Sequence, residues 1–125
     1  MSSNPIGIFD SGIGGLTIAH AIKEKLPNEN IIYFGDTKHL PYGEKSDVAI
    51  KDYSLKIAKF LEKKGCKTII IACNSASSVA FNYIVKNITS IPIFNVIDPV
   101  INSLSERYKN KKIGVIGTKA TIKSN

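Results

Sequence analysis

Ile69-Ile70-Ile71-Ala72-Cys73-Asn74-Ser75-Ala76 opens as an unbroken apolar run and ends in a thiol, an amide and a hydroxyl. An isoleucine-rich run of this kind suits a strand buried on both faces of a parallel sheet, and the Ser/Ala stretch after it suits the first turn of a helix. Cys73 and Asn74 then occupy the strand-to-helix corner. Unpaired backbone N–H groups and the macrodipole at a helix N-terminus favour anions, so this corner is expected to hold a carboxylate and to lower the pKa of the thiol. A cysteine so placed can act as a base or a nucleophile, whereas a free cysteine taken alone is more often buried and inert.

The same alternation extends in both directions. Strand-like runs cover Ile6 to Phe9, Ile31 to Phe34, Thr68 to Ala72, Ile93 to Val96 and Ile113 to Ile116, each followed by a segment of helical character. That order predicts an α/β fold, a doubly wound parallel sheet with helices on both faces. The first helix follows Gly14-Gly15, carries Ile18, Ile22 and Leu26 on one stripe and stops at Pro27. The second runs from Ser46 to Lys64, with Ile50, Ser54, Ile57, Ala58 and Leu61 on its buried face and Gly65 as its C-terminal cap. A third spans Ser75 to Lys86 and a fourth Pro99 to Tyr108. Lys112 to Gly117 reads as a further buried strand and Thr118 to Ser124 as the opening turn of another helix, which suggests a fragment ending inside a βα unit.

The 125 residues, 43% of them hydrophobic, are enough for one domain with a buried core. No apolar stretch approaches the ~18 residues of a membrane span, and the N-terminus lacks a secretory layout, so a cytoplasmic protein is expected. Two cysteines without metal-type spacing agree with reduced thiols. Cys66 and Cys73, at opposite ends of one predicted strand, are too far apart for a disulfide. The net charge of +7, from 17 basic and 10 acidic residues, is spread over helix faces and one cluster at Lys109, Lys111 and Lys112. Without aromatic interleaving or a nucleic-acid motif it reads as a solvated surface that also favours an acidic small substrate, so neither a nucleic-acid nor a membrane partner is expected.

Ligands of open α/β sheets bind beyond the carboxyl ends of the strands. The residues predicted there are Asp10-Ser11-Gly12-Ile13-Gly14-Gly15, then Gly35-Asp36-Thr37 and Pro41-Tyr42-Gly43, then Cys73-Asn74-Ser75, and finally Thr118 and Thr121. They offer a thiol, two carboxylates, hydroxyls and backbone N–H groups, with no metal cage. The glycine-rich stretch matches neither the G-x-G-x-x-G nor the G-x-x-x-x-G-K-[ST] pattern, so its glycines read as allowing a tight turn rather than as a nucleotide site. Asp10 is either a helix cap or a member of the site. Pro41-Tyr42-Gly43 is a turn whose tyrosine is either exposed or functional. Cys66 reads as a structural thiol, and neither His20 nor His39 is expected to be catalytic.

Together, Phe9 to Leu16, Asp36 to Gly43 and Ala72 to Ala76 closely resemble motifs of the glutamate racemase family, in the same order. The resemblance extends to Val96-Ile97-Asp98-Pro99 and Gly114-Val115-Ile116-Gly117-Thr118, and so covers the chain as an N-terminal part of such an enzyme. It implies one of two similar domains of a cofactor-independent amino-acid racemase. Residues 1–98 would be the first domain, and 99–125 the crossover helix and first strand of the second. Such enzymes interconvert L- and D-glutamate without pyridoxal phosphate or metal, using two cysteines on opposite faces of the α-carbon, and supply D-glutamate for bacterial peptidoglycan. They are often homodimers.

Carried over by motif, Cys73 resembles the base that deprotonates D-glutamate, with Asp10 beside it. Ser11, Tyr42 and Gly43 would hold the side-chain carboxylate. Asn74 and Ser75 would hold the backbone carboxylate or amine, with Thr118 in the same polar shell and Thr121 behind it. Ser75 stands where the family more commonly has threonine. The second cysteine, expected in a motif well beyond residue 125, is absent, and Cys66 is in the wrong place to replace it. The resemblance therefore implies that these 125 residues alone do not racemise glutamate. The alternatives are an aspartate or related racemase, a non-catalytic glutamate-binding or interaction fragment, and a nucleotide-binding flavodoxin-like domain.

Overall fold

The computed structural model describes residues 3–124, so residues 1, 2 and 125 of the expected domain ranges lie outside it. Four strands, Ile6–Asp10 (β1), Ile31–Gly35 (β2), Thr68–Ile71 (β3) and Ile93–Asn95 (β4), form one sheet in the order β2-β1-β3-β4. Every pairing is parallel, with Ile6 opposite Ile31 and Thr68, and Ile69 opposite Ile93. Parallel neighbours need crossover connections, and helices supply them: Leu16–Lys25 (α1), Asp47–Lys63 (α2) and Asn74–Asn87 (α3). A single 3₁₀ turn, Tyr42–Glu44, precedes α2, while Asp98–Arg107 (α4) and Lys119–Lys123 (α5) follow β4.

The winding follows from which strand faces are apolar. Phe9, Ile69 and Ile71 pack beneath Ile50, Ile57 and Leu61 of α2 and Ala76, Ala80 and Ile84 of α3. On the opposite face Ile6, Ile8 and Ala72 meet Ile18 and Ile22 of α1. β1 is buried along its whole length, as a central strand covered on both faces must be. Between β1 and β3 the direction of winding reverses, which opens a crevice at their carboxyl ends.

Helix ends match their sequence signals. Ser46 caps α2 by accepting from the Ala49 N–H at 3.2 Å. Gly65, at φ +80°, closes the helix with Gly65 N–H to Glu62 O at 2.9 Å and Cys66 N–H to Leu61 O at 3.2 Å. That pair of bonds is a Schellman motif, which needs a residue at home in the left-handed region.

Two expectations are corrected. Leu26 lies just past α1 and is 48% exposed, because the chain leaves the helix before that position reaches the sheet. The run Ile113 to Ile116 is not a buried strand: Ile113, Val115 and Ile116 are 47, 72 and 102% exposed. β-Branched residues supply propensity, but a strand exists only where a neighbour pairs with it, and among the described residues this run does not join the sheet, whose edge strand β4 pairs only with β3. Helix α4 forms where expected, yet none of its residues is buried. By contrast α5 is anchored, with Ala120 in the same core as Tyr42 and Ala76. Among the described residues no helix is long and apolar enough to cross a membrane.

Candidate active site

A cleft of about 670 Å³ lies over the carboxyl ends of β1 and β3, and six of the eight predicted site residues line it: Asp10, Ser11, Cys73, Asn74, Ser75 and Thr118. Asp10 ends β1 and Cys73 follows β3, so the switch between these adjacent strands sets the carboxylate beside the thiol. Apolar walls come from Ile13, Leu40, Val96 and Val100. Ile13, Leu40 and Val96 fall within motifs already noted, but as cleft walls they carried no signal of their own, and Val100 on α4 was not singled out.

Cys73 is the N-cap of α3, and its Sγ accepts from the Ala76 N–H at 3.4 Å. It is 5% exposed. The expected lowering of its pKa is overturned: burial pushes the thiol up, and the nearby Asp10 carboxylate adds to that. Donation from the Ala76 N–H and from the Ser11 hydroxyl and N–H pulls the other way but is outweighed. Burial removes the water that would stabilise the thiolate, and that loss exceeds what the helix N-terminus gives back.

Asp10 is 7% exposed, and one of its oxygens accepts from the N–H groups of Gly12 and Gly15, both at 3.1 Å. It thus ties down the loop entering α1 while lining the cleft with Cys73, and it does not cap that helix, whose N-cap Gly15 has no side-chain partner. Gly15 must be glycine, because a Cβ there would lie 2.7 Å from Cβ of Asp10 and 2.9 Å from Cβ of Ala72.

At the other end of the cleft, Ser75 Oγ and Thr118 Oγ1 are 2.7 Å apart. Thr118 caps α5 by accepting from the Thr121 N–H at 3.4 Å, and the Thr121 hydroxyl stands 3.2 Å from it. Asn74, in the first turn of α3, is exposed to the cleft.

Tyr42 and Gly43 are not on its wall. Tyr42 is buried, and its hydroxyl donates to Asp36 at 2.5 Å. Burial and that bond hold the phenol well above its ordinary pKa. Gly43 backs onto Thr118, where a Cβ would come within 2.6 Å of Cβ of Thr118. Asp36 also meets His39 Nδ1 at 2.9 Å, and the His39 ring stacks on Tyr53 at 4.0 Å. This buried network was not read from the sequence, where Asp36 appeared only as a strand-end carboxylate. Cys66 sits under Gly7 in the core, remote from the cleft lining. Among the described residues no group of three or more His, Cys, Asp or Glu could hold a metal ion.

The sequence pattern of the family described as Asp/Glu/Hydantoin racemase matches residues 16–125. The chain is 48% identical to the glutamate racemase of Corynebacterium diphtheriae over 124 residues, covering 99% of this chain and 46% of that protein. It is 49% identical to that of Aquifex pyrophilus over 119 residues, covering 95% and 46%. The solved Aquifex pyrophilus glutamate racemase superposes with a TM-score of 0.91 at 48% identity, over 96% of this chain and 47% of that one. The Francisella tularensis glutamate racemase in complex with D-glutamate gives 0.92 at 44% identity, over 99% and 46%. The chain spans about half the length of the curated relatives it matches.

Proposed function

Because the chain belongs to the Asp/Glu/hydantoin racemase family, we propose that it forms one face of a glutamate racemase, in which Cys73 exchanges a proton with the substrate α-carbon. The observation that carries this reading is the buried Cys73 thiol at the β1/β3 switch, in one cleft with Asp10, Ser11, Asn74, Ser75 and Thr118.

The α-proton of an amino acid is a weak acid, so its removal needs donors already aimed at the carboxylate that takes up charge, in a site poor in water. Asn74, Ser75 and the free N–H groups at the start of α3 would serve that end, with Ser11 toward the side-chain carboxylate. Tyr42 and Gly43 would contribute through their backbone and by setting Thr118, since the Tyr42 hydroxyl is committed to Asp36. The thiol held high by burial suits the protonating direction. An incoming substrate ammonium would offset the Asp10 charge and favour the thiolate needed for abstraction.

Inversion requires a proton to leave one face of the carbon and another to arrive at the opposite face. Cys73 covers one face, and Cys66 is locked in the core. The second acid–base cysteine is therefore proposed to come from outside these 125 residues, with residues 1–98 as the first domain and 99–125 as the start of the second. The proposed setting is a bacterial cytoplasmic homodimer supplying D-glutamate for peptidoglycan, in line with the glutamate racemases the chain resembles. Exchange of the glutamate α-proton in D2O, with Cys73→Ala as the control, tests the assignment.

A further inference from the structure

We propose that Tyr33 is a positioning residue for Cys73: its hydroxyl holds the Gly12 carbonyl, and with it the loop that presents Ser11 to the thiol. The role matters to turnover only if Cys73 is the acid–base group of the racemase reading.

Tyr33 lies in β2, an edge strand, and its ring packs partly buried against Ile6, Ile8 and Ala72 on the α1 face. A tyrosine in that apolar layer needs a partner for its O–H, and it finds one outside the sheet. The hydroxyl donates to the Gly12 carbonyl at 2.9 Å, across 21 positions of sequence.

The Gly12 carbonyl is confined from a second side by Gly35, where any Cβ would overlap its oxygen. Asp10 holds the same loop from within through the Gly12 and Gly15 N–H groups. The loop is thus fixed on its N–H side by Asp10 and on its carbonyl side by Tyr33. Gly12-Ile13-Gly14-Gly15 has little intrinsic stiffness, so these tethers rather than the chain itself set its course.

Ser11 immediately precedes Gly12 and lines the cleft with Cys73, where its hydroxyl and N–H pull the thiol pKa down. Hydrogen-bond strength falls steeply with misalignment, so slack at Gly12 reaches the thiol through Ser11. The titratable groups facing Cys73 are Asp10 from β1, Tyr33 from β2 and Tyr42 from the 3₁₀ turn. If Ser11 loses its alignment, burial and Asp10 remain and the thiolate is disfavoured.

The test is alkylation of the 125-residue protein by iodoacetamide across the alkaline range, with Cys73 and Cys66 read separately by mass spectrometry. Tyr33→Phe keeps the ring and removes the donor. Its Cys73 profile is expected to move to higher pH, with alkylation below the midpoint slowed roughly threefold or more, on the order of half a pKa unit, while Cys66 keeps its rate. Gly35→Ala, which displaces the same carbonyl from the other side, is expected to give the same shift. Tyr33→Phe is expected to shift the profile less in a Ser11→Ala background than in wild type, since the hydroxyl route is already gone and only the backbone N–H at position 11 is left to misalign. A Tyr33→Phe profile matching wild type overturns the proposal, and so does equal acceleration at Cys66 and Cys73, which is the mark of loosened packing. A shifted profile in a protein that leaves the glutamate α-proton in place would support the positioning role and count against the racemase reading.

Discussion

The hydroxyl oxygens of Ser75 and Thr118 lie 2.7 Å apart although 43 positions of sequence separate them. The first turn of α3 and the cap of α5 are thereby joined at one end of the cleft. Thr118→Val, nearly isosteric, removes both this contact and the acceptor for the Thr121 N–H. It is expected to lower stability by about 1 kcal/mol in urea denaturation and to weaken glutamate binding in calorimetry. An unchanged midpoint and affinity would mean the pair is incidental.

Gly43 leaves no room for a side chain. A Cβ there would come within 2.7 Å of Cγ2 of Thr118, so Gly43→Ala must push Thr118 or the Tyr42–Glu44 turn aside. The expected loss is about 1–3 kcal/mol, the usual cost of overpacking, together with weaker glutamate binding. Denaturation and titration of one preparation measure both.

Tyr42→Phe is expected to destabilise by about 1–3 kcal/mol, because it removes a donor from a buried carboxylate that its own ring helps seal from water. Asp36→Asn in the Tyr42→Phe background is expected to cost less than in wild type, since the partner is already gone. Strictly additive losses in a double-mutant cycle would contradict the coupling.

The layered α/β architecture was legible because the apolar runs of the two central strands, Ile6 to Phe9 and Ile69 to Ile71, are largely buried by the sheet they build, and there local pattern and tertiary environment agree. Cys73, Asp10 and Ser75 were legible because topology sends strand ends to one edge of the sheet. Three things were not. The run Ile113 to Ile116 carries a strand's composition, but composition does not say whether the run docks on the sheet edge. The direction of the Cys73 shift depends on how deeply the sulfur is buried, which the helix-corner pattern does not record. Tyr42 resembled a ligand-facing residue, yet its hydroxyl turns to Asp36, a partner known only once the turn is folded.

Ser54 Oγ is fully buried on α2, and among the described residues it has no hydrogen-bond partner. Ser54→Ala removes an uncompensated polar atom without opening a large void, and is expected to stabilise the protein by about 1 kcal/mol. A lower denaturation midpoint would show that the hydroxyl has a partner after all.

Burial raises the thiol pKa of both Cys66 and Cys73 and the phenol pKa of Tyr33 and Tyr42. As pH rises past the ordinary thiol range, about 8.5, the unfolded chain releases its protons before the native one does. The native state then binds more protons and stability falls with pH, the contribution being whole below the unfolded pKa and lost on passing the folded one. Urea midpoints are expected to decline through the alkaline range, and less so in Cys73→Ala, which lacks one of these groups.

The most direct measurement follows the α-proton signals of D- and L-glutamate by NMR in D2O, each incubated with the protein and with Cys73→Ala. The expected result is loss of the α-proton signal from D-glutamate that depends on Cys73, without appearance of L-glutamate, as one working face would give. Equal loss with Cys73→Ala, or none with either protein, would contradict the assignment of Cys73 as the base that acts on D-glutamate.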